Sequence, residues 1–339
     1  MAQQLPKMRP VPQTPRPRDK AQEWTDDYLE EVVAVIRGMY ENAQRHIAAE
    51  WDKYLKAAEG ALGDLWRAYQ QAPAGEKTEA LRRYQQAERE YHARSAEYRQ
   101  LVDTTALALL DVNRLAIDYV NGVMPEVYLV NYNQPVDGPP DISFPILQSA
   151  ALADLPRKEI NAAKDTSWNV RQIQNAVLAA ILQGEDIWGI ANRIRHITGV
   201  NRSAAIRMAR TMVTGAQNLG RLDRYEELAK QGLIVHKVWV ACPDAHTRDW
   251  HMNTDGQERE LDEPFIDGIG HELRYPADPS APPETVYNCR CTMYCKVLGI
   301  RHPDGSVTYF HWPDKPTAHD RQIEREKERR AREDGRHTA

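Results

Sequence analysis

This chain is poor in phenylalanine, in cysteine and in long apolar runs, and it carries no excess of positive charge. Phe occurs 3 times in 339 residues, against 15 Tyr and 8 Trp. With 42% hydrophobic residues a core is still available, so it is expected to be built from Leu, Val, Ala, Tyr and Trp on narrow helix stripes. No stretch approaches the ~18 apolar residues of a membrane span, and the first residues lack the apolar segment of a secretory signal. Neither insertion nor classical secretion is expected, which leaves a cytoplasm as the place of synthesis. A formal charge of -5 argues against coating nucleic acid by bulk electrostatics, because counterion release needs a clustered basic surface. The 4 cysteines stand at 242, 289, 291 and 295, too few and too bunched for a disulfide framework. Reduced thiols or a metal are the options.

What is present is mainly helix. Residues 1–20 interleave Pro with Lys and Arg and offer little to bury, so they predict a disordered Pro/basic arm. From Trp24, the residues Val32, Ile36, Tyr40, Ile47, Trp51, Tyr54, Leu62 and Tyr69 follow helical three-and-four spacing. Thr25, Asp26 and Asp27 are the expected cap, and Gly60 and Gly63 an expected bend. Ala72 to Gly75 reads as a turn, after which a helix with Tyr84, Tyr91 and Tyr98 at heptad spacing runs on to about Asn121, with Pro125 ending the region. A long antiparallel helical hairpin over 21–129 is the simplest arrangement. The tyrosines are expected to pack, a surface that could also accept a partner helix.

Residues 130–146, rich in Pro, predict a linker. Over 147–231 the pattern gives helices at about 147–164, 168–184, 186–198 and 201–231, with Asp165, Thr166 and Ser167 capping the second, Gly184 to Asp186 separating the next pair and Gly199 to Ser203 starting the last. After Gly232 the hydrophobic period changes to two. Leu233 to Ala241 predicts a strand, Cys289 to Val297 a half-buried strand with Cys289, Cys291, Met293, Cys295 and Val297 on one face, and His302 to Gly305 a hairpin turn. Residues 232–313 are thus a small antiparallel β module with a Pro- and Gly-rich excursion. Residues 314–339 mix both charges, pair Glu326 with Arg330 and Glu328 with Arg332 at helical spacing, and show no apolar face, predicting a solvated, fraying helix. The fold class is mainly α with a small C-terminal α+β module.

The chemistry concentrates in two stretches: Asp244, His246, Arg248 and His251, then Asn288, Cys289, Arg290 and Cys291. Asp244 can cap a turn that sets Arg248 and His251 on one face. A zinc site could use His251, Cys289 and Cys291, with Cys242, Asp244 or Cys295 as fourth ligand. Against it, Cys-x-Cys in a strand places both sulfurs on an apolar face, as ordinary buried thiols are placed. A nuclease or other toxin-like hydrolase could use His246, His251 and Asp244 as acid and base, with Arg248 or Arg290 on phosphate. A Cys289–His251 nucleophile is a further arrangement, although a thiol on a hydrophobic strand face is usually inert. The preferred reading is structural: no catalytic residue and no cofactor, and a clasp that pins an irregular loop across a small sheet.

Taken together these residues resemble the phage head morphogenesis family of the Mu protein F type. The pattern is an Arg-Thr pair and a later Asn in a helix, a strand ending near a Trp, Asp-x-x-x-Arg-x-x-His, a Gly turn, a Phe, a Pro-rich stretch and Asn-Cys-Arg-Cys. Here these are Arg210-Thr211, Asn218, Trp239, Asp244 to His251, Asp255-Gly256, Phe265, Pro276 to Pro283, and Asn288 to Cys291. The resemblance covers about residues 165–298. Met212 stands where relatives commonly carry Glu, and Arg248 and His251 stand where others carry a Cys-x-x-Cys pair. The resemblance implies a low-copy structural virion protein inside the prohead near the portal, acting in head assembly and DNA packaging or delivery. The implied partners are portal, scaffold or major capsid protein, with packaged double-stranded DNA as a contact for the basic arm and no membrane. Host cytoplasm during assembly and the capsid interior afterwards are the implied locations.

Overall fold

The computed structural model describes residues 9–10, 19–134, 155–311 and 316–337. Among them are eight helices: α1 (Lys20–Gln71), α2 (Lys77–Arg94), α3 (Ala96–Tyr132), α4 (Ala162–Leu182), α5 (Ile187–Lys230), α6 (Asp249–Thr254), α7 (Pro283–Val286) and α8 (Ala318–His337). The strands are β1 (Arg9–Pro10), β2 (Leu233–Val240), β3 (Glu258–Arg259), β4 (Phe265–Ile266), β5 (Glu272–Leu273), β6 (Thr292–Arg301) and β7 (Val307–His311). The fold is therefore mainly α, with a small largely antiparallel C-terminal sheet. No helix among the described residues is long and apolar enough to cross a membrane. The chain divides into two compact units.

One unit, Val33–Tyr119 with Lys158–Ile206, is all helical. Its core combines Trp51, Leu55 and Leu62 of α1 with Tyr84, Leu101 and Leu109 of α2 and α3 and with Ile173, Val177, Ile190 and Ile194 of α4 and α5. Aromatic and polar contacts pair the chain in opposite directions: Trp66 with Tyr84, Tyr54 with Tyr98, Trp51 Nε1 with Thr105 Oγ1 and Tyr40 with Asn113. That is an antiparallel hairpin, and the tyrosine stripe packs inside it. The second arm is broken at Ser95, which is extended (φ -73, ψ 117) and whose hydroxyl accepts from Tyr98 N at 3.0 Å, so α3 restarts with a capped first turn.

Buried ionisable groups sit in this unit. Glu88 and His92 are 0% and 3% exposed, with His92 Nε2 4.0 Å from Glu88 Oε1. Tyr54 Oη lies 2.6 Å from His92 Nδ1. Neither Glu88 carboxyl oxygen nor His92 Nε2 has a hydrogen bond of ordinary geometry. Burial pushes Glu88 up to about 7, against a lowering influence from Tyr84, and pushes His92 down to about 4.

The other unit comprises Met1–Val32, Val120–Arg157 and Arg207–Ala339. Its sheet has the order β1-β7-β6-β2-β3, with β2 and β6 antiparallel from Leu233↔Ile300 to Val240↔Thr292 and a bulge between Ile234 and Val235. The turn at 302–306 joins β6 to β7 as the sequence predicts, with His302 N donating to Ser306 O at 2.8 Å. The α5 face with Leu222, Tyr225 and Leu228 packs with Trp239, Cys291, Met293, Cys295 and Val297 from the sheet side. Alternate residues from Cys289 to Val297 are indeed buried. Gly220 is required where α5 meets α3: a Cβ there would stand 2.5 Å from Tyr128 O.

Several sequence expectations fail for physical reasons. Helix α1 begins at Lys20, with Asp19 Oδ1 accepting from Gln22 N at 2.8 Å, and Thr25 is an interior residue bonded to Ala21 O. Gly60 and Gly63 do not interrupt α1, because Ala58 and Leu62 beside them are buried. Helix α3 runs through Pro125 to Tyr132; burial of Val120, Val123, Met124, Val127, Tyr128 and Tyr132 outweighs the ~3 kcal/mol an interior proline costs. Helix α5 continues through Gly199 to Ser203 because buried Asn201 donates to Ile197 O at 3.0 Å and accepts from Asn113 Nδ2 at 3.0 Å. Residues 155–161 are not helical, and α4 starts at 162 with Asn161, not Asp165, Thr166 or Ser167, as its cap.

Helix α8 is not a solvated tail. Ile323 and His319 are buried, His319 Nε2 lies 2.8 Å from Asp255 Oδ1, and Arg330 donates to Asp244 O at 2.8 Å and Thr247 O at 2.7 Å. The Glu326–Arg330 and Glu328–Arg332 pairs form, at 2.9 and 3.3 Å. Of the predicted 1–20 arm, Arg9–Pro10 pair in parallel with Phe310–His311 and Lys20 opens α1; residues 1–8 and 11–18 lie outside the described residues. So does most of the predicted linker, residues 135–146.

Candidate functional site

The strand β2 delivers Trp239 to the core and ends in the loop that carries Asp244. Trp239 N donates to Gln257 O at 3.0 Å and Gly256 N to Trp239 O at 3.0 Å, so the 241–255 excursion leaves and rejoins the sheet beside the same residue. Gly256 has φ 76, which glycine adopts without the Cβ penalty. Asp255 Oδ1 accepts from Ala241 N at 2.8 Å and closes the base of the loop.

Asp244 organises the loop's first half. Its Oδ1 accepts from His246 N at 2.9 Å and Thr247 N at 3.1 Å, and the carboxylate takes a bidentate pair of bonds from Arg290, with Nη2 to Oδ1 at 2.7 Å. Burial works to raise this carboxyl, but the bonds from Arg290, Cys242 and the His246 backbone outweigh it and hold it at about 2. Arg248, expected on the same face, instead flanks α6, donates to Tyr287 O and lies 5.9 Å from the Trp250 ring centroid. The Asp–Arg partnership is therefore 244 with 290, across the site, and not 244 with 248.

His251 lies on α6 and is 1% exposed. Its Nε2 is 2.8 Å from Thr285 Oγ1, and Thr285 Oγ1 donates to Asp267 Oδ2 at 2.8 Å. Asp267 also accepts from Ile269 N at 3.0 Å and His271 N at 2.9 Å, and these bonds with Thr285 bring its pKa below the usual value although burial opposes them. An ionised carboxylate only accepts, so Thr285 gives its proton to Asp267 and must accept from His251 Nε2–H. The lone pair of His251 is consequently on Nδ1. Cys289 Sγ and Cys291 Sγ stand 3.7 and 3.6 Å from that one atom.

The convergence of both thiols departs from the strand expectation. Two residues in an extended strand are set ~6.8 Å apart along it, but β6 begins only at Thr292, and Asn288 is left-handed at φ 56. The chain therefore turns between α7 and β6, with Cys289 N donating to Val286 O at 3.1 Å, and the thiols fold onto the same imidazole. Burial pushes Cys291 well up, whereas a hydrogen bond from Cys291 holds Cys289 well below the usual thiol range. Trp239 meets His251 edge-on at 5.4 Å between centroids, and Phe265 meets Trp239 edge-on at 5.3 Å. All four cysteines are free thiols. Cys242 donates to Asp244 Oδ2 at 3.3 Å, and burial pushes it up to about 12.

The remaining motif residues lock this corner to α5. Thr211 Oγ1 accepts from Asn288 N at 3.1 Å. Asn218 is 0% exposed and its Nδ2 donates to Thr214 O, Pro276 O and Cys291 O at 3.0, 3.1 and 3.1 Å. Sequence reasoning missed Arg221, which is buried and donates to Met293 O at 2.9 Å, Asn131 Oδ1 at 3.0 Å and Asp19 Oδ1 at 2.8 Å. A signal was available: Arg221 sits between Asn218 and Tyr225 at helical spacing, on the face whose other members are buried.

An open cleft of about 1070 Å³ adjoins the site, lined by Glu23, Asp26, Arg210, Asp244, His246 and Arg290 among others. His251 is not part of its wall. The three residues of the hydrolase arrangement are thus separated by environment: His246 is exposed, Asp244 is neutralised by Arg290, and His251 is sealed behind the sheet.

These contacts define a class: a domain in which a buried His–Cys–Cys corner and a network of buried amides and guanidinium lock a long helix to a small sheet. Residues 171–294 match the family described as Phage Mu protein F like protein. Over 162 residues the chain is 26% identical to the minor head protein GP7 of Bacillus phage SPP1, covering 44% of this chain and 52% of that protein. Over 130 residues it is 33% identical to a protein named NAD(+)--arginine ADP-ribosyltransferase EFV of Enterococcus faecalis (strain ATCC 700802 / V583), covering 38% of this chain and 26% of that protein. The chain thus spans about a quarter to about half of the curated relatives it matches. No solved structure matches it significantly.

Proposed function

We propose that this protein is a minor head protein of a tailed phage, with a structural role in head morphogenesis. The observation that supports this most is the family match over residues 171–294, reinforced by the likeness to a minor head protein. The residues of that match serve packing: Thr211, Asn218, Asp244, His251, Asn288 and Arg290 each hold backbone or a buried partner. In the finer reading the protein sits inside the prohead near the portal and acts in assembly and in DNA packaging or delivery. The helical hairpin offers exposed Leu107 and Leu115 to portal, scaffold or major capsid protein, and the 1–20 arm meets double-stranded DNA.

The test is genetic and compositional. In a phage that encodes the protein, a nonsense mutation should leave heads that are defective or poorly infectious. Mass spectrometry of purified wild-type heads should find the chain at low copy, and cross-linking should join it to portal. Normal, infectious heads from which the chain is absent would refute the reading. A catalytic role is disfavoured by the burial of His251 away from the cleft that His246 and Asp244 line and by the pairing of Asp244 with Arg290; hydrolysis of DNA by the purified chain that His246→Ala abolishes would reverse that conclusion.

A further inference from the structure

We propose that His251 Nδ1, Cys289 Sγ and Cys291 Sγ form a zinc site that braces the junction of α6, α7 and β6. The three ligand atoms lie within 4.8 Å of one another and all three residues are buried. A tetrahedral ion with Zn–S near 2.3 Å and Zn–N near 2.0 Å needs nitrogen and sulfur ~3.5 Å apart. The observed separations are 3.7 and 3.6 Å.

The argument does not rest on proximity alone. One lone pair on Nδ1 can accept one S–H, so the two thiols beside it cannot both donate to it and one is left to bond weakly to the other sulfur; a cation satisfies all three at once. The proton of His251 is fixed on the far nitrogen by Thr285, which is itself fixed by Asp267. That relay is the arrangement by which metal-ligating histidines are oriented and made more basic. The surrounding Trp239, Phe265, Met252 and Met293 exclude water. Among the described residues the mutual cluster holds these three ligand atoms, and the fourth position is tested at Cys242, one of the candidates the sequence offers. Binding releases the protons of the coordinating thiols, so affinity falls as pH is lowered.

The experiment uses the full chain, purified under reducing conditions and titrated with zinc and, separately, with cobalt. One zinc per chain is expected by elemental analysis. Cobalt should give thiolate-to-metal charge transfer in the near ultraviolet at the same stoichiometry, and chelation should lower Tm. Thr285→Val keeps all ligands and should weaken zinc ~10–100-fold, whereas Cys295→Ser, buried on the same face but outside the cluster, should leave affinity unchanged. Cys242→Ser identifies the fourth ligand by weakening the metal without removing the charge-transfer band. Folded wild-type chain that takes up neither metal would overturn the proposal whatever the variants do. Equal affinity for wild type and Thr285→Val would overturn the relay.

Discussion

Replacing Glu88 by Gln isolates the energetics of a carboxyl buried among apolar neighbours. The group titrates at about 4.5 when solvated and is raised to about 7 in the fold by burial. Between these values the folded chain holds a proton that the unfolded chain has released, so stability falls as pH rises through that window. At about 1.4 kcal/mol per pKa unit the loss is about 3 kcal/mol. His92 acts with the opposite sign: lowered from 6.5 to about 4, it makes the unfolded chain the better proton binder, so stability rises from about pH 4 to 6.5. In the wild type these two slopes nearly cancel below pH 6.5. Glu88→Gln removes only one. Urea denaturation of both proteins from pH 4 to 8 should therefore show equal stability near pH 4 and a variant more stable by about 3 kcal/mol at pH 8. A variant less stable than wild type at pH 8 would refute the reasoning. It would mean that Glu88 is ionised against a protonated His92, across the 4.0 Å that separates them.

Arg221→Leu leaves Asn131 Oδ1 without its donor and takes one donor each from Asp19 Oδ1 and Met293 O, which keep Gln22 N and Tyr225 Oη, and breaking this half-buried charged pair should cost about 3 kcal/mol in chemical denaturation. Arg290→Gln should raise the Asp244 carboxyl toward its ordinary value. The Asp244 contribution, present above about pH 4 and lost as pH falls toward about 2 in the wild type, should then be absent, so the acid-unfolding profile of the variant should be flatter over that window. Ile323→Ala, which empties the buried contact of α8, should free that helix, and limited proteolysis should cut it faster while the rest of the chain keeps its resistance.

Periodicity made much of the fold legible. The amphipathic stripe of α1, the turn after it, the alternation of β6 and the hairpin at Gly305 all follow from local rules that packing then reinforces. The misreadings came where tertiary burial overrode a local signal. Pro125 and Gly199 are helix breakers in isolation, but each sits between residues whose burial or side-chain bonding is lost if the helix stops. The α8 sequence shows no apolar stripe, because it is held by single residues: His319 and Arg330 find partners in the 241–255 loop and Ile323 joins the core of the sheet unit. At the site, Asp244, Arg290 and the Cys pair were identifiable as special by residue type. Their partnerships were not, since one left-handed residue, Asn288, decides where Cys289 points, and no periodic pattern encodes it.

The Arg221 network also bears on the order in which the chain can fold as it is synthesised. The guanidinium joins Asp19, made early, to Met293 O, made 72 residues after Arg221 itself. At about 5–20 residues per second, a nascent chain spends roughly 4–14 seconds with Arg221 and Asn218 on α5 and no strand to receive them. Over that interval the apolar side of α5 stays uncovered, so the late-born sheet is the step at which a ribosome-bound chain is most open to chaperones or to another copy of itself.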